Sequence, residues 1–198
     1  MKKKREEIHT QGFTIIELML AIAIAGIVMA SFYSVYISQQ SSYVRQEKVA
    51  SMHQNIRSAM YYMGREIRMA GLDPTGQAGA GIVKNDPDLI QFTEDIQGQD
   101  KEDPPDGVIG PTEENITFSL TDNDGDGDMD LVREAGYGKR LIAENIKSLL
   151  FDYLDGTGTP TATLSAIRFV QITLKAVSDK GSSDRTITAR IHCRNLGY

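Results

Sequence analysis

The 198-residue chain has a single cysteine, Cys193. No intrachain disulfide can form, so the fold has to hold by packing or by metal. A lone thiol on a strand reads as a small buried hydrophobe, with an intermolecular bridge or a reactive thiol as the alternative. Proline is absent from residues 27–73, so nothing of that kind interrupts a helix there. Histidine is scarce as well: His9, His53 and His192 lie far apart in sequence. No Ser-His-Asp, Cys-His, zinc or phosphate-loop spacing appears, which argues against an enzyme and leaves His53 as a helix-surface or packed residue. A basic balance is lacking too, the net charge being −6. Residues 72–130 hold sixteen Asp or Glu against Lys84 and Lys101, a net of −14, whereas residues 131–198 carry a net of +4. Phosphate binding wants a basic face, so nucleic acid is not expected as the main partner. A small basic patch near the C-terminus stays open.

One long apolar run is present. From Phe13 to Ile37 the sequence reads "FTIIELMLAIAIAGIVMASFYSVYI", with Glu17 its one charge. As a helix it would span roughly 37 Å, against about 30 Å of bilayer core. Lys2, Lys3, Lys4 and Arg5 precede it, so the N-terminus is predicted to stay cytoplasmic and the rest to lie outside the inner membrane. Two plain readings compete: a secretory signal peptide cleaved after "AIA" at Ala25, and a simple anchor. Glu17 counts against both, because a carboxylate in a hydrophobic segment costs on the order of a few kcal/mol and usually has a partner or a function. The apolar run also continues past Ala25 into an amphipathic helix that a cleaved signal peptide would not precede.

A basic leader ending in Gly12, then "FTIIEL", resembles the signal of type IV prepilins and type II secretion pseudopilins. The resemblance implies that a membrane prepilin peptidase cuts between Gly12 and Phe13 and methylates the new amine of Phe13. It also implies that Glu17, the fifth residue of the mature chain, pairs with the N-terminal amine of a neighbouring subunit. Two charges in hydrocarbon are each costly and recover much of that cost by pairing, so Glu17 would set the assembly register. The expected partners are other pilins or minor pilins through the N-terminal helix, the peptidase, an inner-membrane assembly platform, and the membrane itself before assembly. Many major pilins carry a helix-kinking proline that is absent here. Gly26 remains a weak point of about 1 kcal/mol relative to Ala, and a straighter helix is expected.

Beyond Ile37, Val49, Met52, Ile56, Ala59, Met63, Ile67 and Ala70 recur at helical spacing and form one apolar stripe. Gly71 fits the residue after a helix C-cap and Pro74 blocks continuation, so the helix is predicted over about Thr14 to Ala70. "REIRMAG", together with "ENIKSLLFDYL" and the C-terminal "RNLGY", resembles minor pilins of the PilW type, and pseudopilin J of type II secretion shares the layout. The segments read as leader 1–12, filament-core helix 13–37, amphipathic helix 38–71, and head 72–198.

Strands are predicted at Leu89–Thr93, Asn115–Leu120, Met129–Arg133, Lys147–Tyr153, Ile167–Val177 and Arg185–Arg194, with 98–107 a solvated loop. In "IRFVQITLKAV", Val170, Ile172, Leu174 and Ala176 form the core face, and Ile187, Ala189, Ile191 and Cys193 share a face of the last strand. The fold class is α+β: a long N-terminal helix packed on an antiparallel sheet.

The one stretch with metal chemistry is "DNDGDGDMD" (122–130). Asp122, Asp124, Asp126 and Asp130 fall at positions 1, 3, 5 and 9 of a calcium loop, Gly127 at position 6, and Asp128 at position 7 offers its carbonyl. Arg133 occupies the twelfth position, where an EF-hand has Glu, and the flanks read as strands. Ca²⁺ binding at extracellular-type affinity is one expectation, and a solvated acidic turn is the other.

Three functions fit. The first is a minor pilin that initiates or tips a type IV pilus. The second is a J-type pseudopilin of type II secretion. The third is a tip module whose head contacts a surface, a partner or DNA.

Overall fold

The computed structural model describes residues 12–98, 103–111, 113–123, 125, 127–136, 138–178 and 183–197. The chain divides into two compact units, Met1–Glu47 and Lys48–Tyr198. One helix, α1 (Ile15–Ile67), supplies residues to both.

In the first unit α1 is apolar and exposed, from Ile15 (79%) to Ile37 (49%). It contains an 18-residue window of mean hydropathy 2.4, long and apolar enough to cross a membrane, with none of that window buried within the chain. A helix apolar on every side and bare in the isolated chain has to be covered by lipid or by other chains.

The second unit is built on the predicted stripe. Met52, Ile56, Ala59, Met63, Ile67 and Ala70 are buried and Val49 packs against them. Eight strands follow: β1 (Ile82–Asn85), β2 (Ile90–Thr93), β3 (Asn115–Thr121), β4 (Asp130–Ala135), β5 (Gly138–Ala143), β6 (Ile146–Leu154), β7 (Phe169–Val177) and β8 (Asp184–His192). They form two antiparallel sheets, β1-β2-β3-β4-β5 and β6-β7-β8, where the sequence had suggested one. The break falls at Asn145, a non-glycine residue with φ of 59°, whose N–H bonds the Asp130 carboxylate (3.3 Å) and whose carbonyl accepts from Val177 (3.1 Å). The sheets remain linked by backbone bonds from Phe151 N–H to the Pro87 carbonyl and from Ile146 N–H to the Met129 carbonyl, each 2.7 Å.

The alternation in β7 holds: Val170, Ile172, Leu174 and Ala176 are buried. On β8 and just beyond it, Ile191 and Cys193 are buried, and Ile187 and Ala189 are half-buried against the core. Sheet residues Ile90, Phe92, Ile116, Phe118 and Leu131 join the same core, with Phe92 stacked on Phe118 and Tyr62 of α1 edge-on to it. Gly64 lets the helix and β8 approach closely, because a Cβ there would meet Ile191 Cδ1 at 2.9 Å.

The helix ends at Ile67, three residues earlier than Ala70, through a turn with short-range bonds from Met69 to Glu66 and from Leu72 to Met69. Gly71 does adopt φ of +80°, but its N–H bonds the carbonyl of Thr93 (3.0 Å), the last residue of β2, rather than a helix carbonyl. It thus joins helix end to sheet. Gly71→Ala is expected to lower stability by about 2 kcal/mol, roughly 4–8 °C in Tm, because left-handed backbone disfavours a Cβ. That Cβ would also lie 2.5 Å from Leu196 Cδ2 and 3.2 Å from the Asn195 carbonyl. Thermal unfolding followed by circular dichroism measures it.

Candidate processing and assembly site

The site begins at the start of α1. Gly12, Phe13 and Thr14 precede the helix, and Phe13 is 88% exposed. Thr14 is its N-cap. The Thr14 hydroxyl accepts from Glu17 N–H (3.3 Å), while Glu17 Oε2 accepts from Thr14 N–H and from the Thr14 hydroxyl (2.9 Å each). This reciprocal pair is a capping box, with Glu at the third helical position. The local signal, Thr followed by Glu three residues on, is plain in the sequence, yet reading Glu17 only as an assembly residue missed it.

The box does not exhaust the carboxylate. Glu17 Oε1 has no hydrogen-bond partner among the described residues. Acceptance from Thr14 holds the side chain toward the chain start, where an anion also interacts favourably with the helix dipole. Glu17 is therefore preorganised, with one oxygen able to take a cation from outside the chain. The surrounding surface, including Ile15, Ile16, Leu18 and Met19, is apolar and open.

The aspartate loop sits between β3 and β4. Asp124 and Asp126 lie outside the described residues. Asp122 is exposed and turns inward, its two oxygens accepting from Gly125 N–H (2.7 Å) and Gly127 N–H (3.2 Å). Both glycines have left-handed backbone, φ of 80° and 91°. Asp130 is buried and accepts from the N–H groups of Asn123 and Asn145, 3.3 Å each. Asp128 is exposed. Among the described residues no three His, Cys, Asp or Glu side chains are gathered to hold a metal. Asp122 and Asp130 thus shape the turn, the first by cradling its glycine amides and the second by fastening it to the sheet junction.

Other residues singled out in the sequence are dispersed. His53 is half-buried on α1, and His192 is exposed and stacked on Phe169 (4.8 Å). Cys193 is a buried free thiol whose pKa burial pushes up to about 12. Such a thiol is inert at neutral pH.

An ionic cluster that the sequence did not announce lies where α1 meets the first sheet. Arg133 on β4 pairs with Glu66 (2.8 Å) and Glu113 (2.9 Å). Glu94, buried beside them, is raised to about 7, chiefly by burial, then by Glu66, with Arg133 opposing and Glu114 and Glu113 adding to the rise. Glu114 is buried and bonds the N–H groups of Ile96 (2.8 Å), Gln97 (3.0 Å) and Gly110 (2.6 Å). Its carboxylate ties the backbone at 96 and 97 to that at 110.

No curated protein matches the chain. A prokaryotic N-terminal methylation motif matches residues 9–33, which contain Gly12, Phe13, the Thr14–Glu17 box and most of the exposed apolar stretch. Over those residues the chain carries the prepilin-type signal, and with it the support for reading this protein as type IV pilin-like or pseudopilin-like.

Proposed function

We propose that the protein is a minor pilin of the PilW type, cut between Gly12 and Phe13, methylated on Phe13, and built into a type IV pilus as an initiating or tip subunit. The observation that carries the reading is the methylation motif at residues 9–33 laid on a helix whose apolar surface is bare. Before assembly that surface sits in the inner membrane; in the fibre, neighbouring helices cover it. Glu17, held by Thr14 with one oxygen spare, meets the Phe13 amine of an adjacent subunit. The role is structural rather than catalytic.

A pseudopilin of type II secretion would use the same N-terminal physics. Two measurements on one deletion strain separate them. The pilus reading expects the protein in sheared surface fibres and expects secretion to be intact without it. Loss of exoprotein export, with no protein in sheared fibres, overturns that reading in favour of secretion.

Calcium in the 122–130 loop belongs to the proposal through its oxygen spacing, Asp122, Asp124, Asp126, Asp130 and the Asp128 carbonyl being the ligands. The ion would neutralise a segment whose aspartates otherwise repel one another. At tenfold excess over Kd it should stabilise the fold by about 1.4 kcal/mol, a rise of roughly 3–6 °C in Tm. Asp124→Ala with Asp126→Ala should abolish that rise. An unchanged Tm in the parent protein would leave the loop as a turn only.

A further inference from the structure

We propose that the cleft between α1 and β5 is a docking site for an acidic peptide segment of another protein, held by Arg65 and Arg140 across Tyr62. The inference does not rest on the filament reading, since it needs only this part of the fold.

Two guanidinium groups converge on one tyrosine ring. Arg65 and Arg140 lie over Tyr62 at 5.9 and 5.8 Å from its centroid. Arg133 sits directly opposite Arg140 in the β4–β5 register. Like charges facing each other across a strand pair are unfavourable unless something neutralises them. Arg133 has its anions, Glu66 and Glu113. Arg65 and Arg140 have no carboxylate partner among the described residues and hold only the face of the ring.

The cleft lined by Arg140 and Tyr62, with Glu66, Glu113, Arg133 and Lys139, and adjoined by Arg65 through the Tyr62 ring, has a volume of about 260 Å³. That is below the usual range for a small-molecule pocket, yet it has room for one or two carboxylate side chains. A planar guanidinium fork on an aromatic rim is suited to bidentate capture of a carboxylate. The site is open to an incoming chain: β5 is the end strand of its sheet, and Gly138, Lys139, Arg140 and Leu141 are exposed. The charge pattern favours a peptide over a polynucleotide. Glu66 and Glu113 also line the cleft, and their charges would repel a continuous phosphate backbone more than a few spaced carboxylates. The chain's own acidic segment 121–131 supplies a probe of that chemistry.

The test uses the full-length protein in detergent micelles and a fluorescent peptide of residues 121–131, TDNDGDGDMDL, read by anisotropy at low salt. Arg65→Gln with Arg140→Gln should weaken binding by roughly tenfold or more. Arg185→Gln with Arg190→Gln removes the same charge from exposed positions on β8 and should change it by less than about twofold. Should the first pair fail to fold, Arg65→Lys with Arg140→Lys keeps the charge and loses the fork, and should still bind measurably less tightly than the parent protein. The proposal is overturned if the parent protein does not bind the peptide, if both glutamine pairs weaken binding equally, if the lysine pair binds as tightly as the parent, or if a DNA oligonucleotide of equal charge binds more tightly than the peptide.

Discussion

Glu17→Gln will leave the protein cut after Gly12 and resident in the membrane, but depleted from assembled fibres by at least about tenfold. The carboxylate is the one charge in the apolar helix. In the bilayer it is a cost, so removing it does not hinder insertion. In the fibre, the Phe13 amine of the next subunit would lose its partner. Leaving one member of a buried ion pair uncompensated costs about 3–5 kcal/mol, and 1.4 kcal/mol is a factor of ten. Thr14→Ala separates this from helix capping. It removes the hydroxyl that bonds Glu17 (2.9 Å and 3.3 Å) but keeps the Thr14 backbone N–H bond to Oε2. Loss of an N-cap costs about 1 kcal/mol, so fibre incorporation should fall by severalfold at most. Immunoblots of sheared fibres against membranes give both numbers. Equal losses for the two variants would make Glu17 a capping residue rather than a register residue.

Glu94→Gln should stabilise the head at pH 8 and do little at pH 4. Residue Glu94 is 8% exposed, and its carboxyl pKa rises from 4.5 to about 7 because burial and the Glu66, Glu114 and Glu113 charges disfavour its anion. Arg133 relieves this only in part, being directed at Glu66 and Glu113. A folded-state pKa above the unfolded value means that the native protein holds this proton more tightly. The associated stability is complete below about pH 4.5 and is lost as pH rises through about 7. At one pKa unit per 1.36 kcal/mol the loss at pH 8 is on the order of 3 kcal/mol. Glutamine stands in for the protonated acid at every pH. The expected gain at pH 8 is about 2–3 kcal/mol, or roughly 5–10 °C in Tm, fading toward zero at pH 4. Thermal unfolding at the two pH values decides it. An equal effect at both would mean that packing, not protonation, separates the two side chains.

How far the molecule was legible from its sequence depended on whether the information was local. The helical stripe from Met52 to Ala70 and the alternation from Val170 to Ala176 are periodic in sequence, and both are buried as the period requires. Strands β1 and β5 escaped detection because neither buries alternate residues. In β5, Gly138, Lys139, Arg140 and Leu141 are all exposed, so no buried face imposes alternation. The split into two sheets turns on Asn145, whose left-handed backbone has no strong sequence signature outside glycine. The Thr14–Glu17 box is local, a Thr followed three residues on by a Glu, and is legible in the sequence beside any assembly role of Glu17. The Arg133 cluster could not have been read at all. Its acids come from positions 66, 94, 113 and 114, and only the packing of α1 on the first sheet brings them together.

The most direct test of the account is the mature N-terminus, measured by mass spectrometry of the membrane fraction. The account predicts a peptide that begins at Phe13 and carries one methyl group on its α-amine. A peptide beginning just after Ala25, or one retaining Met1, would contradict it, because Glu17 would then have been discarded or would have no new amine from a neighbour to meet.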